Sequence, residues 1–285
     1  MYGEPEVKKI YHLINPYKVD EDAAAFTEQK KTLDSLFSAI KFVSSDFEIK
    51  LVMKVSEGDY EYFSELYGAN SNVLLVKLAT DSSKIEPAFK VVRELPLLND
   101  LLDLSDLSGV ANEDDLVVVT NMDICVQPFF YMELFRINNT GRDVFVVNRR
   151  TIPKDLIDEE LIEAYVSDGE KHIGHDCFVF PFKLLNQFDI RDHILGIGFV
   201  FRPFLLNCIL HAKHFDELDD AYLTFHYGDD MEWKNEKYND YLEHNKHKLI
   251  AVYRDNKKLI DRARNDETKK PWMEKFFNFS FLESN

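Results

Sequence analysis

Five short apolar runs rich in β-branched residues punctuate the first 150 residues: VKKIYHLI (7–14), IKLVMKV (49–55), NVLLVKL (72–78), DLVVVTNMDI (115–124) and DVFVVNRR (143–150). Runs of this length with little polar alternation suit strands buried on both faces, as in a parallel sheet covered by helices. Between the first two, Phe26, Leu33, Leu36, Phe37, Ile40 and Val43 fall near helical spacing, with Asp20 or Asp22 as the expected N-cap. That is a βαβ opening. Segments 95–102 and 129–135 read as further short helices, with Pro96 and Pro128 near their first turns, where a missing N–H costs nothing. Strand and helix alternate, so the class is α/β with a mostly parallel mixed sheet flanked by helices.

The pattern changes from residue 151. Pro153 is expected to start one amphipathic helix carrying Leu156, Ile157, Leu161, Ile162, Tyr165 and Val166, ended by Gly169. A loop EKHIGHD, a strand-like CFVF and a glycine-containing turn LGIGF follow. The last 50 residues read as helical, marked by Trp233, Tyr238, Tyr241, Leu242, Leu249, Ile250, Tyr253 and Ile260. No repeat, low-complexity tract or Pro/Gly/Ser-rich linker interrupts the chain, which therefore reads as one domain with a helical C-terminal extension.

Composition narrows the function classes. With 285 residues, 45% hydrophobic and 13% aromatic, the chain fills a real core and is not disordered. Its net charge of −17 opposes a broad grip on a phosphate backbone or an anionic leaflet, so generic nucleic-acid and membrane-surface binding are excluded. An anionic ligand must then be held by a local device: a metal, a helix N-terminus or a placed arginine. Cys125, Cys177 and Cys208 are odd in number and embedded in apolar runs, the setting of buried free thiols. No apolar leader or membrane-length run is evident, and the expected compartment is the cytoplasm.

Three clusters are placed for chemistry. TNMDI ends the most apolar run, and ligands of open α/β sheets gather where strands end. Asn121 and Asp123 flank one residue, so in an extended chain both project to one side and share a divalent cation bridging two phosphates; alternatively they close the strand in an Asx turn. LTFHYGDDMEW delivers His226 beside Asp229 and Asp230, suiting a metal or general base, unless an aspartate merely caps the helix expected at Met231. HIGHD offers His172, His175 and Asp176, where Gly174 argues for a loop presenting His175 and Asp176 to an acceptor rather than a zinc cluster. Among the scarce arginines, Arg93, Arg149 and Arg150 follow strand-like runs and suit bidentate contact with a diphosphate, with Arg150 read as a solvated surface charge. GxGxxG, GxxxxGK[ST], GxSxG, HExxH and CxxC are all absent, which excludes the commonest dinucleotide, P-loop, hydrolase and zinc devices.

In their order, LINPYK at the end of the first strand, TNMDI at the end of the fourth, then FVVNRRTIP, GHDCFVFPFKLL and HYGDDMEW resemble a nucleotide-diphospho-sugar transferase of the GT-A type, family 2-like, over residues 7–233. The resemblance implies a single GT-A-like domain over 1–232, with a nucleotide-binding half (1–150), an acceptor half (151–232) and a helical segment 233–285 packed on it. TNMDI stands where that family carries its DxD motif, in relaxed N-x-D form. Carried over residue by residue, the resemblance puts Asn15 near the base, Arg93 and Asn121 near ribose or diphosphate, and Asp123 on a divalent metal with His226 as second ligand. His175, Asp176, Asp229 and Asp230 then lie on the acceptor side, with Asp229 or Asp176 as the base if the anomeric centre is inverted.

The implied activity is glycosyl transfer from a UDP- or GDP-sugar to an unidentified glycan, small molecule or protein, with Mn²⁺ or Mg²⁺ across the α- and β-phosphates as the leaving group gains charge. Two alternatives stand beside it. One is a non-catalytic GT-A-like scaffold, using Trp233, Tyr238, Tyr241, Trp272, Phe276 and Phe277 as a partner surface. The other is a sugar nucleotidyltransferase, which usually carries a glycine- and lysine-rich loop after the first strand, where this chain has NPYKVDED.

Overall fold

The computed structural model describes residues 8–43, 47–172, 174–229 and 236–277. Asp230 and Trp233 lie outside the described residues. Two compact units divide the chain: Met1–Leu78 with Leu107–Phe182 and Asp216–Asp230, and Ala79–Asp106 with Lys183–Phe215 and Met231–Asn285.

The first unit is built on strands β1 (Lys8–Ile14), β2 (Phe47–Val55), β3 (Val73–Lys77), β4 (Leu116–Thr120), β5 (Cys125–Val126), β6 (Val144–Val147), β7 (Arg150–Ile152), β8 (Glu170–Lys171), β9 (Cys177–Pro181), β10 (Phe215–Leu218) and β11 (Thr224–Tyr227). Seven form one sheet in the order β10-β6-β9-β4-β1-β2-β3; β5-β11-β7-β8 form a second, smaller sheet. β1 to β4 run parallel, as their continuous apolar character requires, and β9 is inserted antiparallel between β4 and β6.

Helices α1 (Ala24–Phe42), α2 (Tyr60–Tyr67), α4 (Phe130–Asn138) and α5 (Leu161–Val166) belong to this unit; α3 (Leu98–Leu101) belongs to the other. Leu33 and Leu36 of α1, Phe63 of α2 and Phe130 and Leu134 of α4 join Ile10, Leu51, Val118, Phe145 and Val179 in one core over a sheet face. Each such fully buried side chain contributes roughly 1.5–3 kcal/mol. The three cysteines are free and buried, and desolvation pushes all their thiols up, that of Cys125 to about 12.

Local expectations needed correction. The N-cap of α1 is Ala23, without a side-chain bond, because Asp20 and Asp22 fall in the turn before it and the Asp20 carbonyl accepts Ala23 N–H at 3.0 Å. Helix α3 starts only at Leu98 and α4 at Phe130, after the expected 95 and 129, with Pro96 and Pro128 two residues ahead of them and Leu97 and Phe129 as the caps. The helix expected from Pro153 is broken into a 3₁₀ turn, Lys154–Asp158, and the short α5. Asp155, Glu159 and Glu163 recur at i, i+4, a spacing at which like charges oppose one continuous helix.

The second unit is mainly helical, with α3, α6 (Phe201–His211), α7 (Asn239–Asp255), α8 (Lys257–Arg264) and α9 (Lys270–Phe276). Leu97, Ile194, Ile197 and Tyr241 form a core cluster, where Phe89 stacks on Tyr241 at 3.9 Å. Buried Asn245 bonds both the N–H and the carbonyl of Ile194. Among the described residues no helix is long and apolar enough to cross a membrane.

Candidate functional site

Strand register gathers the polar residues that end the apolar runs. Ile14 of β1 pairs with Met53 of β2, and Leu13 with Val119 of β4, so Asn15 and Asn121 leave the sheet at the same edge. Thr120 pairs with Cys177, and Cys177 with Val147, which brings Asp176 and the residues after β6 to that edge as well. The small sheet then supplies His226: Phe225 pairs with Cys125 just beyond the TNMDI turn.

The chain does not continue extended through Asn121. Ile124 N–H bonds the Asn121 carbonyl at 3.3 Å, closing a turn that sends the Asn121 and Asp123 side chains to different partners. Of the two expectations for N-x-D, the same-side projection of an extended chain gives way to a turn that closes the strand.

Asp123 meets His226, whose Nε2 lies 3.2 Å from Asp123 Oδ2. The imidazole Nδ1 lies 2.7 Å from the Gly228 carbonyl, which only accepts, so Nδ1 carries a proton. Nε2 therefore faces the carboxylate either as the second N–H of an imidazolium or with its lone pair turned to a cation. Burial opposes the charge on each, yet the mutual hydrogen bond and attraction outweigh it: the Asp123 pKa is held below its ordinary value and that of His226 above. The Asp123 side chain is 44% exposed, while its Oδ1 is sealed and without a hydrogen-bond partner. An orphaned carboxylate oxygen beside an imidazole fits a divalent cation. Among the described residues no group of three or more His, Cys, Asp or Glu that could hold a metal ion is found.

Arg149 is the second centre. Its Nη1 donates to Asp176 Oδ2 at 2.9 Å and its Nη2 to Asp229 Oδ1 at 3.4 Å, while Asn121 Nδ2 donates to Asp176 Oδ1 at 3.4 Å. Arg149 is buried, Asp176 is half-buried, and Asp229 is 40% exposed. Beside them His175 Nε2 lies 3.2 Å from Glu217 Oε1, which also accepts Asn148 Nδ2 at 3.0 Å. Burial, then the Arg149 charge, lowers the His172 pKa.

Asn121, Asp123, Asp176, His226 and Asp229 are thus brought together. Asn15 instead donates to the Lys54 carbonyl at 2.5 Å. Arg93 belongs to the second unit, exposed, its guanidinium 4.9 Å from the centroid of the Tyr238 ring. Arg150 is no solvated charge: it is buried, bonded to the Asp168 and Gly169 carbonyls and stacked over Tyr222. Sequence reasoning read Arg149, which follows β6 much as Asn121 follows β4, as a diphosphate contact; the structure turns its fork to Asp176 and Asp229 instead.

No family model matches the chain, and no curated protein matches it in sequence. In structure it is similar to S. aureus TarS 1–349 in complex with UDP-GlcNAc, with TM-score 0.54 and 16% identity over 98% of this chain and 74% of that one. The complex of TarS 1–349 with UDP gives 0.53 and 15% over 97% and 73%, and S. aureus TarS gives 0.53 and 15% over 98% and 44%. The fold is that of the GT-A-like nucleotide-diphospho-sugar transferases: a mostly parallel seven-stranded sheet flanked by helices, with a helical C-terminal region.

Proposed function

We propose that this chain is a glycosyltransferase that moves a sugar from a nucleoside-diphosphate sugar, a UDP-sugar first among them, to an acceptor bound beside Asp229. The observation that carries the reading is Asp123 with its unpaired Oδ1 next to His226, at the sheet edge of a fold shared with a protein solved in complex with UDP-GlcNAc.

Asp123 and His226 would hold a Mn²⁺ or Mg²⁺ ion, whose charge would offset that gained by the departing diphosphate. Asn121 offers an amide oxygen at the same turn. Arg149 supplies the site's buried fixed positive charge, in a protein whose overall charge repels a diphosphate. Asn15 is proposed for the base, and His175 and Asp230 for the acceptor side. Of the two carboxylates on Arg149, Asp229 is the more exposed and therefore the one an acceptor hydroxyl reaches, so it is the proposed base of an inverting reaction.

A melting-temperature panel tests this. UDP-GlcNAc, other UDP-sugars and GDP-sugars are added with and without Mn²⁺ or Mg²⁺, and release of the nucleoside diphosphate is followed in parallel. At least one nucleotide sugar is expected to raise the melting temperature, more so with the metal, because a ligand selective for the native state stabilises it by mass action. A panel in which none does so removes the proposal. Binding without any turnover, with or without acceptors, would favour the scaffold reading.

A further inference from the structure

A primary amide has one donor end and one acceptor end, and only the NH₂ end can face a carboxylate. Asn121 turns its Nδ2 to Asp176 Oδ1 at 3.4 Å. Asp176 is itself tied down, its Oδ2 taking Arg149 Nη1 at 2.9 Å. Arg149 sits at the end of β6 and Asp176 just before β9, and the Val147–Cys177 pairing fixes the two backbones against each other. The Arg149 carbonyl accepts His172 N–H at 3.2 Å, so the arginine is anchored by its main chain as well. The result is a relay in which Arg149 positions Asp176, and Asp176 decides which end of the Asn121 amide is free. That free end is the oxygen, two residues from the unpaired Oδ1 of Asp123.

We infer that Asp176 and Arg149 are positioning residues that make the Asn121 amide oxygen a cation donor, so that N-x-D supplies two oxygen donors at half the negative charge of D-x-D. The inference rests on the proposed function for the presence of a cation and a diphosphate. Its own content is the relay. An aspartate at position 121 would set a carboxylate within hydrogen-bond range of the Asp176 carboxylate, where like charges repel. Asparagine at 121 and aspartate at 176 are therefore one device, interchangeable only as a pair.

The test is Mn²⁺ binding in the presence of UDP, read from the free-ion signal in electron paramagnetic resonance, which needs no turnover. Five proteins are compared: wild type, N121D, D176N, the exchanged pair N121D/D176N and R149K. N121D and D176N are each expected to weaken Mn²⁺ binding by about ten-fold or more, the scale on which outer partners of metal ligands act. The exchanged pair, with one amide and one carboxylate again facing each other, is expected to recover to within about three-fold of wild type, a non-additivity that independent sites do not show. R149K, which keeps the charge but not the fork, is expected to fall between wild type and D176N. If N121D does not fold, D176N and the exchanged pair decide the matter.

N121D binding Mn²⁺ as tightly as wild type, or losses that simply add in the exchanged pair, would overturn the relay while leaving the proposed function standing. Wild-type protein that melts cooperatively but takes up no Mn²⁺ with UDP would remove the proposed cation site, and the relay with it.

Discussion

His226 Nε2 and Asp123 Oδ2 stand 3.2 Å apart although their residues are 103 positions apart in the chain. The pair exists because two short strands, β5 and β11, clip the chain after the TNMDI turn onto the segment before Gly228. Asp123→Ala removes both oxygens and leaves His226 facing an empty position. The Mn²⁺-dependent part of the melting shift with UDP is expected to vanish, leaving only the shift given by UDP without metal. An unchanged metal-dependent part would exclude Asp123 as a ligand.

Arg149 serves two carboxylates at once while nearly all of its surface is out of water. Removing one partner of such a buried pair leaves uncompensated charge, at a cost of about 3–5 kcal/mol. Arg149→Ala is therefore expected to lower the unfolding free energy by an amount of that order, read as a lower urea midpoint with the slope of the transition unchanged. Asp229→Asn, on the exposed arm of the fork, is expected to cost about 1 kcal/mol or less. Equal losses from the two variants would mean that Asp176 is not the partner that matters.

These two variants also mark where sequence reading stops. β1, β2, β4, β6 and β9 were visible because strands buried on both faces must be apolar throughout, β3 was visible by its apolar run although it is only half-buried, and the polar residues ending those runs stood out as edge residues. Which of them meet was not visible. Arg149 reaches Asp176 only because β9 runs antiparallel between β4 and β6, and no local pattern in CFVF records that direction. The small sheet was equally hidden: Cys125–Val126 and Glu170–Lys171 are two-residue strands, too short for any periodicity. At Asn121 the sequence left two readings, an extended run or a turn ending the strand, and only the backbone bond from Ile124 decides for the turn.

His12 supplies a pH dependence. It lies fully buried on β1, its Nδ1 2.9 Å from the Tyr131 hydroxyl and its Nε2 2.9 Å from Thr120 Oγ1, and burial lowers its pKa from 6.5 to about 3. In that window the unfolded chain binds a proton that the folded chain does not. Stability therefore falls as pH drops below 6.5, by up to about 1.4 kcal/mol per pH unit from this one group. His12→Gln keeps the hydrogen-bonding size and removes the titration. Urea midpoints at about pH 7 and about pH 5 should differ less for this variant than for wild type. The difference should not disappear, because burial lowers His193 to about 4 with the same sign. Identical pH slopes for the two proteins would contradict a buried neutral His12.

Gly228 holds the last element of the site in place. Its φ is +71°, a region that costs a residue bearing Cβ about 1–2 kcal/mol, and an added Cβ would lie 3.3 Å from Lys154 Cβ and Cδ. Its N–H bonds the Ile152 carbonyl at 2.9 Å, and its carbonyl takes the His226 Nδ1 proton. Gly228→Ala is thus expected to lower stability by about 1–2 kcal/mol and, by shifting that carbonyl, to release the imidazole from its tautomer. The second effect separates site geometry from general damage: Mn²⁺ affinity with UDP should fall about ten-fold, the scale of losing an outer partner to a ligating histidine. Gly58→Ala serves as the control, since Gly58 has no positive φ and no neighbour within 4 Å of an added Cβ, and both quantities should stay near wild type. A Gly228→Ala protein that loses stability but keeps its Mn²⁺ affinity would mean that the Gly228 carbonyl does not orient His226 for the metal.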